Sequence, residues 1–593
     1  MSISSSNRPI GLFYALIEYV KPMVWREIAG IFCLMAYSYL VVCVPAYVKQ
    51  IINSVEKGTD KQALLVSCCV ILLLSGGAAC LLFLARWLII GASRSIEMAL
   101  RNDFFKHIQK LTPGFYHRSK TGDLVTRFSS DLEQVRLLIG PGIMYPFNAC
   151  LITLLAFYSM LLVNVDLTVT LLIPVIILMV YVNFNTRKLH HVYQQSQEIY
   201  SELTAMVQEN FSGIRVIKAY CQEEAEVGRF HEIGKRYVAK NIEQVKLRGR
   251  LFPFMRFIAG LGVVIILWRG GLKVINGQLT LGDLVQFAIY YQMLMWPIIA
   301  LGWIINVIHR GVASWRRVKI ILDTQPDVEG VLDVAVPTLL SGAIEVRDLT
   351  FNYEEDMPPV LRNISFTIEP GKTLAIVGPT GCGKSTLVNA LLHLYPVDRG
   401  MILFDGRDIN DISQNDLRHS IAYVSQEVFL FSESIQNNIL FGIDEPGAAA
   451  ESDVIAAAKS AQLHRDLDML PYGYQTIVGE RGVMLSGGQK QRTGIARALV
   501  LDRPILIFDD SLSAVDADTE EAILRSVSGD IDDCTAILIS HRISTVRNAD
   551  HIIVLDEGRI VEEGSHQELI EQEGLYARIN KRQILEESLG IRK

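Results

Sequence analysis

The sequence predicts a multi-domain chain, in which an all-α membrane domain of six spanning helices precedes an α/β phosphate-loop domain. Three observations carry this. Apolar runs long enough to cross a bilayer fill roughly the first half of the chain and then stop. A strand-like stretch, Thr373–Val377, runs into Gly378-Pro379-Thr380-Gly381-Cys382-Gly383-Lys384-Ser385-Thr386, a phosphate loop that opens a helix. At 593 residues the chain is also too long for one globular domain. A net charge of -7 with no basic arm gives no reason to expect nucleic acid as a partner. The nine cysteines show neither a paired framework nor zinc spacing, and read as reduced thiols acting as small hydrophobes.

The first ten residues are polar, and no cleavable signal peptide is expected ahead of the first span. Leu12, Phe13, Leu16, Ile17 and Val20 recur at helical spacing. Residues 1–26 are therefore expected to hold an amphipathic helix, lying on the membrane surface or folded into the core. The spans fall at about 27–49, 63–90, 140–163, 166–187, 252–273 and 281–305, within a membrane domain of 27–308. Pro174 and Pro297 lie inside two of them and are tolerable there, because neighbouring helices can satisfy the freed carbonyl. Arg94, Arg101, Lys106, Lys110, Arg187, Lys188, Arg215 and Lys218 are among many cations between spans two and three and between spans four and five. The opposite loops carry little beyond Lys57, Lys61, Arg269 and Lys273. Positive charge stays inside, so both termini are expected in the cytoplasm.

The two basic segments are about 50 and 65 residues long, too long to be structureless loops. Each is expected to be a helical arm of about 25 residues that descends about 37 Å, turns and returns. Phe115–Arg118 with Gly122–Leu124 marks the first turn, and Gly213–Tyr220 followed by Glu223 and Glu224 marks the second. A connector with Pro326 and Pro337 covers 309–342, the nucleotide domain covers 343–583, and a tail covers 584–593.

In the second domain the loop glycines let backbone N–H groups turn toward phosphate, and the helix N-terminus adds its positive end. Lys384 would neutralise the β- and γ-phosphates of ATP, and the Ser385 hydroxyl would ligate Mg²⁺. Leu485-Ser486-Gly487-Gly488-Gln489 opens a second helix and offers another anion site of the same kind. Asp509 ends the apolar strand that begins at Ile505 and would hold Mg²⁺ through water. Taken singly, Tyr353, Gln426 and His541 say little, since most tyrosines and strand-end histidines are structural and a loop glutamine is usually inert.

The phosphate loop, the Leu485–Gln489 run and the Asp509-Asp510 pair, in that order and spacing, resemble the ATP-binding cassette (ABC) family. The resemblance covers nearly the whole chain and implies half of an exporter of the bacterial multidrug or lipid type, a transport-coupled ATPase. It implies that Tyr353 stacks on adenine, that Gln426 is the Q-loop residue touching Mg²⁺ and the attacking water, and that His541 contacts the γ-phosphate. It further implies that Ser513-Ala514-Val515-Asp516 is the D-loop and that Thr476–Gly482 is a loop specific to exporters. Ser486, Gly487 and Gly488 would then bind the γ-phosphate of ATP held by a second subunit. The helix near the N-terminus resembles the family's elbow helix, and the two turns resemble the coupling helices that dock on the ATPase domains.

One position departs from the family. Asp510 stands where a fully active cassette usually has Glu, which sets the carboxylate back by about 1.5 Å, one carbon–carbon bond. Misplacement near 1 Å can cost about 10²-fold, so this site is expected to hydrolyse slowly. With an intact Leu485–Gln489 run, that asymmetry resembles one subunit of a heterodimer whose partner carries the catalytic Glu. The expected setting is a bacterial cytoplasmic membrane, with a hydrophobic small molecule as cargo. A homodimeric lipid flippase and a regulatory ATP-binding subunit are the rival readings. Tyr290, Tyr291, Met293, Met295, Trp296 and Trp303 would either line a cargo cavity or serve packing and lipid contact.

Overall fold

The computed structural model describes residues 9–58, 61–328, 339–354, 357–443, 451–479, 482, 485–513, 515–530 and 534–588. Pro337, Glu480, Arg481, Ala514 and the last residues of the tail lie outside them. The chain divides into two compact units, one of Met1–Gln109 with Thr121–Thr324 and one of Lys110–Lys120 with Gln325–Lys593.

In chain order the helices are α1 (Pro9–Val20), α2 (Val24–Glu56), α3 (Lys61–Lys110), α4 (Pro113–Arg118), α5 (Thr121–Thr126), α6 (Leu132–Ile139) and α7 (Pro141–Val163). They continue as α8 (Val165–Ser212), α9 (Ile214–Ala219), α10 (Glu223–Ile265), α11 (Gly271–Ile275) and α12 (Leu281–Leu322). Among the described residues, six helical segments are long and apolar enough to cross a membrane, as the hydropathy predicts. Several of the expected spans are the apolar parts of longer helices. α3, α8, α10 and α12 run well past the ends of their apolar runs, because adding a residue to an existing helix costs far less than starting a new one. The arms are therefore continuous with the spans. α12 also reaches Leu322, so the first part of the expected connector is helical.

The first unit is held by helix packing along the apolar stripes. α12 packs on α2, α6 and α7, while α8 pairs with α10. Tyr290 and Tyr291 of the sixth span are buried here, and the Tyr290 hydroxyl donates to the Val42 carbonyl at 3.0 Å. Trp296 and Trp303 stay exposed, Trp303 with its ring edge-to-face on Tyr145.

A π-turn at Arg127–Asp131 joins α5 to α6 and aims the buried Asp131 at α12. Its carboxylate accepts from Ser314 Oγ at 2.8 Å and from Arg317 Nε at 2.8 Å. Arg317 is half exposed, which discounts the Coulomb part. Asp131→Ala should still cost about 1–3 kcal/mol through lost charge-assisted hydrogen bonds. The check is the melting temperature in detergent; an unchanged value would show the pair to be idle.

The second unit has strands β1 (Ile344–Phe351), β2 (Leu361–Ile368), β3 (Thr373–Val377), β4 (Ile402–Phe404) and β5 (Arg407–Asp408). They are followed by β6 (Ile421–Val424), β7 (Ile505–Asp509), β8 (Thr535–Ile539), β9 (His551–Asp556) and β10 (Arg559–Gly564). β1, β2, β4 and β5 form an antiparallel sheet in the order β2-β1-β4-β5. The other six run in the order β10-β9-β3-β8-β7-β6, parallel except for β10. β3, β7 and β8 read as continuous apolar runs because both faces of the sheet are covered, one partly by the antiparallel sheet and the other by helices.

Candidate nucleotide site

Strand order builds the site. β3, β8, β7 and β6 are parallel neighbours, so their C-terminal ends share one edge, where ligands of open α/β sheets bind. The phosphate loop leaves β3, His541 follows β8, Asp509 and Asp510 end β7, and Gln426 follows β6. Four motifs spread over some 160 residues thus meet at one sheet edge.

The loop opens α13 (Lys384–Leu391), and two of its glycines, Gly381 and Gly383, have φ of 86° and 106°. Side chains rarely adopt that region, and a Cβ at Gly383 would also lie 2.8 Å from Leu361. Pro379 and Thr380 are exposed at the tip of the loop, while Cys382 is buried beneath it. Lys384 folds back over the loop, its Nζ donating to the carbonyls of Gly378 and Pro379 at 2.8 Å each. Ser385 Oγ donates to Asp509 Oδ1 at 3.2 Å, and Thr386 Oγ1 lies 3.0 Å from the Tyr353 hydroxyl.

Asp510 takes φ of 46°, and its amide donates to the Ile539 carbonyl at 2.9 Å. His541 Nδ1 lies 2.7 Å from Asp510 Oδ1, and Gln426 Nε2 lies 3.4 Å from Oδ2. Burial, with Asp510 next to it, raises the Asp509 carboxyl above the ordinary range, against the opposing pull of Ser385, Lys384 and Tyr423. The Ser385 hydroxyl, the Asp509 carboxylate and the Gln426 side-chain carbonyl are hard oxygen donors of the kind that would suit Mg²⁺. The residues present fit that ion.

Leu485–Gln489 closes on itself. Leu485 is buried, and Ser486 caps the helix Gly487–Leu499: its Oγ accepts from the Gln489 amide at 3.2 Å, while Gln489 Oε1 accepts from the Ser486 amide at 3.0 Å. Gly487 and Gly488 sit in the first turn, whose amides have no intrahelical acceptor. Asp516 caps the helix Ala517–Asp530 by accepting from the Thr519 amide at 2.9 Å, and that bond leads the effects that hold its carboxyl below the usual range.

Two positions escaped the sequence reading. Tyr423 bonds the buried Asp509 from β6. Gln583, at the edge of the expected tail, spans His541: its Nε2 donates to the His541 carbonyl at 2.5 Å, and its Oε1 accepts from the Ile543 amide at 2.9 Å. Arg542, between those two, reaches the Val515 carbonyl at 3.1 Å and pairs with the buried Glu520. A separation of some forty residues with no local pattern leaves nothing in the sequence to mark such a contact.

In the first unit a cavity of about 430 Å³ has an almost wholly apolar lining that includes Phe157, Met160, Leu171, Met179, Tyr291 and Leu294. Of the aromatic and Met side chains of the sixth span singled out from sequence, Tyr291 lines it.

Residues 28–298 match the ABC transporter transmembrane region, and residues 361–513 match the ABC transporter domain. The chain is 38% identical to the probable multidrug resistance ABC transporter ATP-binding/permease protein YheI of Bacillus subtilis, over 84% of each chain. It is 33% identical to the multidrug resistance-like ATP-binding protein MdlA of Escherichia coli, over 97% of each. It is 32% identical to the ATP-dependent lipid A-core flippase of Syntrophus aciditrophicus, over 98% of this chain and 96% of that one. A solved bacterial Atm1-family ABC exporter with ATP bound superposes with a TM-score of 0.75 at 27% identity, covering 95% of this chain and 98% of that one. A helical membrane region and one ATPase domain in a single chain, matched along nearly their whole length, place this protein in the ABC transporter family as a multi-pass half-transporter whose ATPase is coupled to transport.

Proposed function

We propose that the chain exports hydrophobic or amphipathic small molecules across a bacterial cytoplasmic membrane as the slow-site half of a heterodimer, with both termini in the cytoplasm. The observation that carries this is Asp510 at the position of the catalytic carboxylate, beside an intact Leu485–Gln489 run. Its two oxygens already face His541 and Gln426, and it is one methylene shorter than Glu. The apolar cavity in the membrane unit supports an apolar cargo. Apolar surface is also exposed at Val216 and Tyr220 by α9 and at Phe429 and Phe441 in the second unit, which suits contact with a partner subunit.

In this reading Tyr353 stacks on adenine, and the amides of Gly378, Thr380, Gly381, Cys382 and Gly383 cradle the phosphates. Lys384 exchanges its two carbonyl partners for the β- and γ-phosphates. Ser385, Asp509 and Gln426 would hold Mg²⁺, which supplies positive charge against the phosphate oxygens. Asp510 orients the attacking water, and His541 contacts the γ-phosphate. Ser486 and Gly488 serve the ATP held by the partner, and Asp516 lies in the loop near that boundary.

Expressed alone, the chain should bind Mg-ATP and turn it over slowly, and co-purification with its partner should restore turnover stimulated by cargo. ATPase assays on both preparations decide it. The likeness to a lipid A-core flippase along nearly the full length favours one second reading, a homodimeric lipid flippase. Turnover typical of transport ATPases from the chain alone would select that reading.

A further inference from the structure

We propose that Tyr395 is a positioning residue that sets Tyr353 for the nucleotide base and carries base occupancy to α4. This rests on reading Tyr353 as the base-stacking residue. Tyr395 follows α13 and is 8% exposed, whereas Tyr353 is 40% exposed. Their rings meet edge-to-face, with centroids 5.0 Å apart at 82°, and Phe351 closes the group at 5.1 Å from Tyr353 and 5.9 Å from Tyr395. The Tyr353 hydroxyl is meanwhile tied to Thr386 at the end of the phosphate loop. One aromatic cluster therefore fixes the tilt of Tyr353 while the ring stays partly open.

Tyr395 also meets α4, which belongs to the same compact unit. A Cβ at Gly114 would stand 3.3 Å from Tyr395 Cε1, so glycine lets the helix backbone lie against the ring. Asp327 anchors this end of the contact: it accepts from Thr112 Oγ1 at 2.9 Å and from Arg118 Nη2 at 3.4 Å. Burial and the neighbouring Tyr353 raise the Tyr395 hydroxyl above the ordinary phenol range, while the Arg118 charge acts the other way. α4 and Tyr353 thus both lie against one buried ring. An edge-to-face pair resists tilting, so a base landing on Tyr353 loads Tyr395 and, through it, Gly114.

The test uses the full-length chain in detergent, with ATP and inorganic tripolyphosphate as ligands and hydrogen exchange of Lys110–Lys120 as the second readout. Tyr395→Ala should weaken ATP binding about fivefold, the order expected for one lost aromatic pair, and leave tripolyphosphate binding unchanged. ATP, and not tripolyphosphate, should slow exchange in Lys110–Lys120. Tyr395→Ala should abolish that protection, and Tyr395→Phe, which keeps the ring, should retain it. Equal loss for both ligands would reduce Tyr395 to a structural residue and overturn the proposal, as would protection that survives in Tyr395→Ala or arises with tripolyphosphate. Tyr353→Ala separates the two layers. If it leaves ATP affinity intact, the base-stacking reading fails; if it weakens ATP while Tyr395→Ala does not, only the present proposal fails.

Discussion

Replacing Asp510 with Glu should raise ATP turnover by the purified chain by about 10²-fold, the factor that misplacing a catalytic group by about 1 Å costs. The added methylene restores the missing reach, and His541 and Gln426 stand 2.7 and 3.4 Å from the present oxygens, ready to orient the longer side chain. ATP affinity should change little, because the loop residues that hold the phosphates are untouched. Steady-state turnover and equilibrium ATP binding measure the two effects separately. If the Glu variant is no faster, reach is not what limits the site, and the argument for an asymmetric pair loses its footing.

The second large effect lies on the other face of the dimer. Ser486→Arg and Gly488→Asp should each cut ATPase activity of the co-purified pair by about 10²–10³-fold, the range for losing one preorganised donor to a developing oxyanion. Ser486 heads the helix Gly487–Leu499, so an arginine there loses the cap, and an aspartate at Gly488 puts negative charge where a γ-phosphate would enter. On the proposed reading that site is already slow, so Asp510→Asn should cost little in the same pair. ATPase activity and drug efflux from vesicles report the result. Should Asp510→Asn stop turnover while both other variants stay active, the roles of the two sites are reversed.

The parts of this protein that announce themselves in sequence are those fixed by local chemistry. Six apolar runs have one physical solution in a bilayer, and a strand followed by Gly378–Ser385 and a helix has one in solution. Asp509, Asp510, Gln426 and His541 are grouped in sequence only by the family resemblance; the parallel strands that bring them to one edge belong to the fold. What stayed hidden depends on contacts across the fold. Where an arm leaves its span is invisible, because α8 continues unbroken from apolar to polar residues. The π-turn at Arg127–Asp131 leaves no mark either, since its residues read as ordinary helix until Asp131 is seen to bond Ser314 and Arg317. Gly114 carries no mark in sequence, and the Tyr395 ring and the Asp327 carboxylate occupy the space beside it.

The bond from Gln583 to His541 turns the far end of the chain into a handle on the chemistry. Gln583 sits within the helix Leu575–Ser588, with a few helical residues after it. A deletion or fusion that unwinds the last turns of this helix would release the His541 backbone.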